Sequence, residues 1–458
     1  MENKRKAIFC IFAASLLCCG ASLAQTDEEE EGVKKTPVES YVEGGRLHFA
    51  TKDGKFHWWL DNRIYIDAAA YMPDDGTDGF TSKKNSDLDD DDGNFRFSNG
   101  VILRRARMAV KATLYDTWFA EFDLDYAYDE LNVRDMYLGY KISDRMYVKA
   151  GQFKEPMSIE STTSSKYLQS VERPMPVDIF ASGRHLGASL TAWGKHWWAS
   201  GGVFGSEVDL IQKERNRGDD GYAFTGRVAV SPINNDDMTV HLGAYATRRT
   251  PDANGNEDRT VEFRGLPESN VDRRRFVDAE VENVNYYYTL GYELAFRYKK
   301  LLLFGEYVFT SIDRYDYDDN DVKYDLKNCE FDGWYVCGSY MILGQARRYA
   351  PDEAEFGPMP VRRKGGNLEI AAHYSTVNLN DFHDYRSVIY GGEAHAFSAS
   401  LNWYPKTNLM IGLNYTYMDN DKYADAKGNV KYNGEALSVS KPDGIDFSIL
   451  QMRLMIAF

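Results

Sequence analysis

From about residue 56 to the last residue, apolar and polar positions alternate with a period of two, in segments separated by turn-forming residues. The alternation predicts sixteen strands, over 56–72, 95–115, 118–128, 133–142, 145–153, 184–193, 196–205, 220–230, 238–247, 284–298, 301–311, 332–345, 367–376, 394–404, 408–418 and 446–458. Short turns such as Asp116-Thr117, Ser143-Asp144, Gly194-Lys195 and Lys299-Lys300 follow even-numbered strands, and long polar loops follow most odd-numbered ones. An even strand count with short turns at one end and long loops at the other predicts an all-β fold, a transmembrane antiparallel β-barrel of sixteen strands. Two connections break the rule: 346–366 is long on the short-turn side, and 129–132 is short on the long-loop side.

The last strand sharpens the reading. Leu450, Met452, Leu454, Ile456 and Phe458 share one face, with Gln451, Arg453, Met455 and Ala457 on the other. A terminal Phe closing such a strand resembles the outer-membrane assembly signal; the alternative is a buried edge strand of a soluble sandwich. Trp193, Trp197 and Trp198 bracket one tight turn, Trp403 and Tyr404 border another and Trp118 follows a third, as an interfacial girdle requires.

The phase then assigns the lumen. In the second strand Ala106, Met108, Val110, Ala112 and Leu114 alternate with Arg105, Arg107, Ala109, Lys111 and Thr113. Charge facing lipid is costly, so the basic face turns inward. Lys149, Arg227, Arg297 and Arg453 follow the same phase, as do the acids Glu121, Asp123, Asp125, Asp135, Glu293 and Glu306. The segment Lys154 to Gly183 is the loop expected to fold inward, with Lys154, Lys166, Arg173 and Arg184 in or beside it. Arg105, Arg107, Lys111, Lys149, Lys154, Arg173, Arg184, Arg227, Arg297 and Arg453 are therefore the candidate lumen and anion contacts, since guanidinium and ammonium groups replace the water an oxyanion loses. The bland alternative for each is a brace paired with an acid on a neighbouring strand, and for the loop, simple steric narrowing.

Composition refines this. Negative mean hydropathy excludes a helical membrane bundle but not a barrel, in which only every second residue meets lipid. Lys4, Arg5 and Lys6 precede an apolar run from Ala7 to Cys19, and Ser22-Leu23-Ala24 offers small residues for cleavage, so 1–24 reads as a signal peptide. Residues 25–45 read as an acidic disordered periplasmic tail and 46–458 as the barrel. The chain has 54 basic and 70 acidic residues; cleavage would leave 51 and 69, a net charge of −18. Segments 25–45, 73–94 and 313–332 carry −16 of that, so the rest of the chain is near neutral. Cys329 and Cys337 remain after cleavage, and an oxidising compartment makes a disulfide between them an expectation, against two unpaired, packed thiols.

Several motifs are similar to those of one family: Arg104-Arg105-Ala106-Arg107, Gly151-Gln152-Phe153-Lys154-Glu155-Pro156, Glu172-Arg173, Gly183-Arg184-His185-Leu186-Gly187, Gly333-Trp334-Tyr335, Leu343 to Tyr349, and Leu401-Asn402-Trp403-Tyr404-Pro405. In this order, across roughly residues 46 to 458, they resemble the phosphate-selective porin O and P family. The resemblance implies a trimeric sixteen-stranded outer-membrane porin of a Gram-negative bacterium, anion-selective, with phosphate or polyphosphate as the solute of its best-known members. Expected partners are small anions in the lumen, outer-membrane lipid and lipopolysaccharide at the wall, and two further copies of the chain.

No enzyme is expected, with no catalytic residue, cofactor, metal or nucleic-acid partner. The histidines form no HExxH pair, and no GxSxG or phosphate-loop motif occurs. Asp87 to Gly93 fails the EF-hand spacing, with Leu88 at the first ligand position and Asn99 where the closing Glu belongs. The competing reading is a surface-exposed structural or ligand-binding barrel with a closed lumen and acidic external loops.

Overall fold

The computed structural model describes residues 35–73, 97–128, 130–208, 220–253, 259–319, 322–324, 326–357, 359–383, 388–424 and 446–458. The expected signal peptide, the first part of the expected acidic tail and the Asp87–Gly93 run lie outside the described residues.

Sixteen antiparallel strands close on themselves. The first, β1, runs as Phe56–Leu60 and Arg63–Pro73, interrupted at Asp61-Asn62. It is followed by β2 (Gly100–Leu114), β3 (Trp118–Ala127), β4 (Glu130–Ser143), β5 (Met146–Lys154), β6 (Arg184–Trp193), β7 (Trp197–Phe204) and β8 (Tyr222–Asn234). The second half comprises β9 (Met238–Thr250), β10 (Val284–Tyr298), β11 (Leu301–Arg314), β12 (Cys329–Leu343), β13 (Asn367–Asp381), β14 (Ile389–Lys406), β15 (Leu409–Asn420) and β16 (Phe447–Ala457). Each strand pairs with the next, and β16 pairs with Arg63–Pro73 of β1 to seal the cylinder. Along Arg63–Pro73 this closure leaves no edge for lipid to meet, which is the condition for strands to cross a membrane.

Alternation holds through the wall. Along β8 the burial alternates from Tyr222 onward, with Phe224, Val228 and Val230 exposed and Ala223, Thr225, Arg227 and Ala229 buried. The same strictness corrects three expected girdle residues: Trp198, Tyr404 and also Trp193, which pairs directly across from Trp198 and packs on the same inner side. Neighbours in a strand point to opposite faces, so Trp197 and Trp403 are exposed outside while Trp198 and Tyr404 are buried inside. In β2 the phase slips once: Tyr65 pairs with Arg105 but Ile66 with Leu103, a bulge that leaves Arg104 as the extra residue. Arg104 thereby turns inward to Glu172, with Nε to Oε1 at 2.7 Å.

The 25–45 tail is corrected in its second half. Because β16 pairs only with the upper part of β1, Phe56–Leu60 keeps a free edge, which Arg46–Thr51 takes up and Val38–Glu43 extends. Stacking of Tyr41 on His48, at 5.2 Å between ring centres, holds that hairpin.

The disulfide is corrected too. Cys329 and Cys337 are free and buried, both in β12. At about 3.4 Å per residue, eight residues along one strand separate them by roughly 27 Å, far beyond the reach of a bridge.

Three connections fill the lumen. At the loop end, residues 155–183 fold in and carry two short helices, α1 (Ile159–Thr162) and α2 (Met175–Phe180). Inside β5, before the loop leaves the wall, Gly151 takes a φ of 132° that is open to glycine, and a Cβ there would meet the Met136 carbonyl oxygen at 2.2 Å. Also at the loop end, the β9–β10 connection forms a hairpin of Val261–Gly265 and Val277–Val281. Its Phe263, Phe276 and Val277 pack with Met175, Phe180, Phe331 and Phe447 in an apolar cluster inside the barrel mouth. From the turn end, the β12–β13 connection sends a tongue upward, paired as Tyr349–Ala350 with Glu355–Phe356.

Candidate functional site

These connections occupy the lumen unequally. Against β8 to β16 they pack tightly, and against β1 to β7 they leave a water-accessible cavity of about 510 Å³. Its wall takes Asp61 and Arg63 from β1, Arg105, Arg107 and Lys111 from β2, Glu121 and Asp123 from β3, and Asp135 from β4. Lys149 and Lys154 come from β5, Arg184 from β6, and Lys166 and Arg173 from the inward loop. The tongue contributes Glu353 and Glu355, and the N-terminal hairpin Arg46.

Seven of the ten expected contacts meet here: Arg105, Arg107, Lys111, Lys149, Lys154, Arg173 and Arg184. The remaining three do not reach the cavity. Arg227 grips Glu293 with Nε–Oε1 at 2.8 Å and donates to the Ala354 carbonyl at 2.8 Å. Arg297 donates from Nη1 to the Asp236 carbonyl at 2.9 Å, bracing the β8–β9 turn. Arg453 binds Asp67 at 2.6 Å and Glu172 at 2.7 Å, tying β16, β1 and the inward loop together, and it also donates to the Val171 carbonyl. Each obeys the inward phase, yet packed loop rather than water meets it.

Within the cavity the cations divide into two sets. Arg107 holds Asp125 at 2.9 Å, Lys111 holds Glu121 at 3.0 Å and Arg184 holds Asp135 at 2.7 Å. Arg46, Arg63 and Lys166 crowd a single carboxylate, Asp61, at 3.3, 3.4 and 2.9 Å. Arg105, Lys149, Lys154 and Arg173 make no ion pair with a described carboxylate. Arg105 stands over the Tyr65 ring, 5.7 Å from its centre, and its Nε has no hydrogen-bond partner among the described residues. Lys149 lies 4.1 Å from the Phe153 ring centre. Lys154 donates to the Ser161 carbonyl at 2.5 Å, and Arg173 to the Glu160 and Thr163 carbonyls at 2.8 and 2.7 Å. Carbonyls orient these groups without cancelling their charge.

Oxygens of Glu121, Asp123 and Asp135 lie within 4.8 Å of one another, a spacing a cation could bridge. Lys111, Arg107 and Arg184 already cover them, the Arg107–Asp123 distance being 3.7 Å. Their charge is spent, so the group serves as counter-charge to the basic wall.

The family profile described as phosphate-selective porin O and P matches residues 83–458. The chain belongs to that family. It is an outer-membrane porin, a channel by family and by fold. No curated protein matches it. Solved structures similar to it include the outer membrane channel DcaP of Acinetobacter baumannii, at 12% identity over 90% of this chain and 99% of that one, TM-score 0.49. An anion-selective porin from Comamonas acidovorans matches at 13% identity over 88% and 100%, TM-score 0.48. The trimer form of OmpT from Vibrio cholerae matches at 11% identity over 88% and 99%, TM-score 0.47.

In this porin the loop-borne groups have displaced titrations. Burial, and then the Arg63 guanidinium, pull the Lys166 ammonium down to about 7 against the attraction of Asp61. Burial and the neighbouring Glu353 push Glu355 up to about 8. Glu172 goes the other way: against its burial, Arg104 and Arg453 hold it well below the usual carboxylate range.

Four functional positions escape the sequence pattern. Arg63 lies inside the predicted 56–72 strand in phase with Tyr65 and Asp67, so the alternation could have marked it. Arg46 sits in the hairpin, and Glu353 and Glu355 in a connection with no periodicity, so nothing local marks them.

Proposed function

We propose that this porin passes small anions by preference across the outer membrane of a Gram-negative bacterium, working as a homotrimer with outer-membrane lipid and lipopolysaccharide against its apolar wall. The supporting observation is the set Arg105, Lys149, Lys154 and Arg173, which lines the cavity without carboxylate partners. Placed on β2, β5 and the inward loop, these groups offer an anion several moderate sites in succession, as permeation requires. The test is the reversal potential of the purified trimer in a planar bilayer under a salt gradient; a potential of cation-selective sign overturns the proposal. Phosphate preference is narrower: millimolar phosphate should block the chloride current, and Arg105→Ala with Arg173→Ala should relieve the block. The packed apolar cluster at the mouth favours a second reading, a closed barrel that binds partners through its loops. Folded trimers without conductance would support it.

A further inference from the structure

The tongue is an expensive structure for a channel that needs only a basic wall. Two arginines are committed to it. Arg347 grips Glu369 through both carboxylate oxygens, at 2.8 and 2.6 Å, where the segment enters the lumen. Arg227, locked on Glu293, donates to the Ala354 carbonyl at 2.8 Å. Trp198 Nε1 donates to the Asp352 carbonyl at 2.9 Å, and the Tyr349 hydroxyl pairs with His241 Nδ1 at 2.8 Å. Ala354 takes the left-handed φ of 52°, so the tip is a fixed tight turn rather than a loose arm. What this framework presents to the cavity is Glu353, exposed to pore water, and Glu355, buried beside it. Neither makes an ion pair with a described cation, and both share the cavity with Arg105, Lys149, Lys154 and Arg173.

We propose that Glu353 and Glu355 are specificity-determining residues that tune this pore to monoanions by loosening its hold on dianions. The inference rests on the anion-preferring reading above. An anion in the cavity gains from the unpaired cations in proportion to its own charge, so a purely basic site would bind dianions far more tightly and release them slowly. A fixed carboxylate pair in the same space lowers the local positive potential, and the loss of attraction is twice as large for a dianion as for a monoanion. Burial and the Glu353 neighbour favour one proton on the pair at neutral pH, which leaves about one negative charge to act. The groups facing it are Lys111 from β2, Tyr147, Lys149 and Lys154 from β5, Tyr167 from the inward loop, Arg227 from β8, and Asp352 and Tyr349 on the tongue itself.

The experiment compares sulfate with nitrate as blockers of chloride current through trimers in a planar bilayer, in the wild type, Glu353→Gln and the Glu353→Gln, Glu355→Gln double variant. Folding is checked by the heat-modifiable gel shift, and the single variant, altering a side chain in contact with water, carries the test if the double does not fold. Removing both carboxylates should lower the half-blocking sulfate concentration by about fivefold more than that of nitrate, the scale of one charge acting across a screened pore. Glu353→Gln alone should act in the same direction by less, since Glu355 loses the neighbour that helped hold its proton. Equal shifts for the two ions, or none, overturn the inference. A cation-selective wild type would instead sink the anion reading, and the reversal potential separates the two failures.

Discussion

Strands β1 to β7 and strands β8 to β16 carry inward arginines in one alternating phase, and the two regions use them differently. On the first side Arg105, Lys149 and Lys154 face a wet cavity without carboxylate partners. On the second, Arg227 is committed to Glu293, Arg297 to turn carbonyls, and Arg453 to Asp67 and Glu172. Packing makes the difference. Where the β9–β10 hairpin, the inward loop and the tongue fill the lumen, and at the tight turn beneath them, a cation has lost its water and must find carboxylate or carbonyl oxygens inside the protein. Where they leave space, water and a passing solute can do that work. A period of two names the face of a residue and leaves its partner open.

The sharpest break of this contrast is a truncation on the packed side. Arg453→Ala orphans the buried Asp67 and takes from Glu172 one of its two arginines, leaving it Arg104. Breaking one partner of a buried pair costs about 3–5 kcal/mol. The heat-modifiability transition of the folded barrel should therefore fall steeply, and the inward loop should loosen because its Val171 carbonyl loses its donor and Glu172 keeps only Arg104. Arg105→Ala leaves no carboxylate behind and should cost under about 1 kcal/mol. Equal losses for the two variants would end the distinction.

Next comes selectivity within the wet side. Arg105→Gln should lower the anion-to-cation permeability ratio by about fivefold, the worth of one charge in a screened pore. Arg107→Gln combined with Asp125→Asn removes a pair held at 2.9 Å and leaves the net charge unchanged, so the ratio should hardly move. Reversal potentials of both variants check this.

Much of the fold was legible because a barrel wall is local physics repeated sixteen times. Each strand must hide charge from lipid, so alternation marks its position, phase and face. Arg104 shows the limit: its phase points to lipid, and only the register slip against β1 turns it to Glu172. The connections were less legible. Lys154 to Gly183 was readable as an inward loop from its length and cations. The tongue at 346–366 showed only as an anomaly of length, since its place depends on long-range contacts such as Arg227 with Ala354. Seven cavity cations followed from phase and loop position, whereas Glu353 and Glu355 had no such signal. The expected Cys329–Cys337 bridge failed on strand geometry that the predicted boundaries, placing Cys329 outside the twelfth strand, obscured.

A smaller effect is expected from pH. Lys166 carries its charge below about 7 and loses it above; Glu355 is neutral below about 8 and negative above. Rising pH therefore removes a positive charge and adds a negative one, both on the cavity side. Anion preference should decline steadily between about pH 6 and 9, and the Lys166→Met, Glu355→Gln double variant should flatten the slope. A preference that rises with pH in the wild type would contradict both assignments.

The smallest effect lies on the boundary between the two regions. Trp198 belongs to the wet wall, yet its Nε1 donates to the Asp352 carbonyl of the tongue at 2.9 Å, and its ring lies 5.1 Å from the Arg227 guanidinium. Trp198→Phe keeps an aromatic face for Arg227 and removes one hydrogen bond, worth about 0.5–1.5 kcal/mol. Arg227 still holds Ala354, so the tongue should stay inside and mean conductance and selectivity should stay near wild type. Only the open-channel current noise should rise, as Glu353 gains freedom at the cavity edge. A large change in selectivity would mean that the wet wall, rather than the packed side, positions the tongue, and the division between the two regions would have to be redrawn.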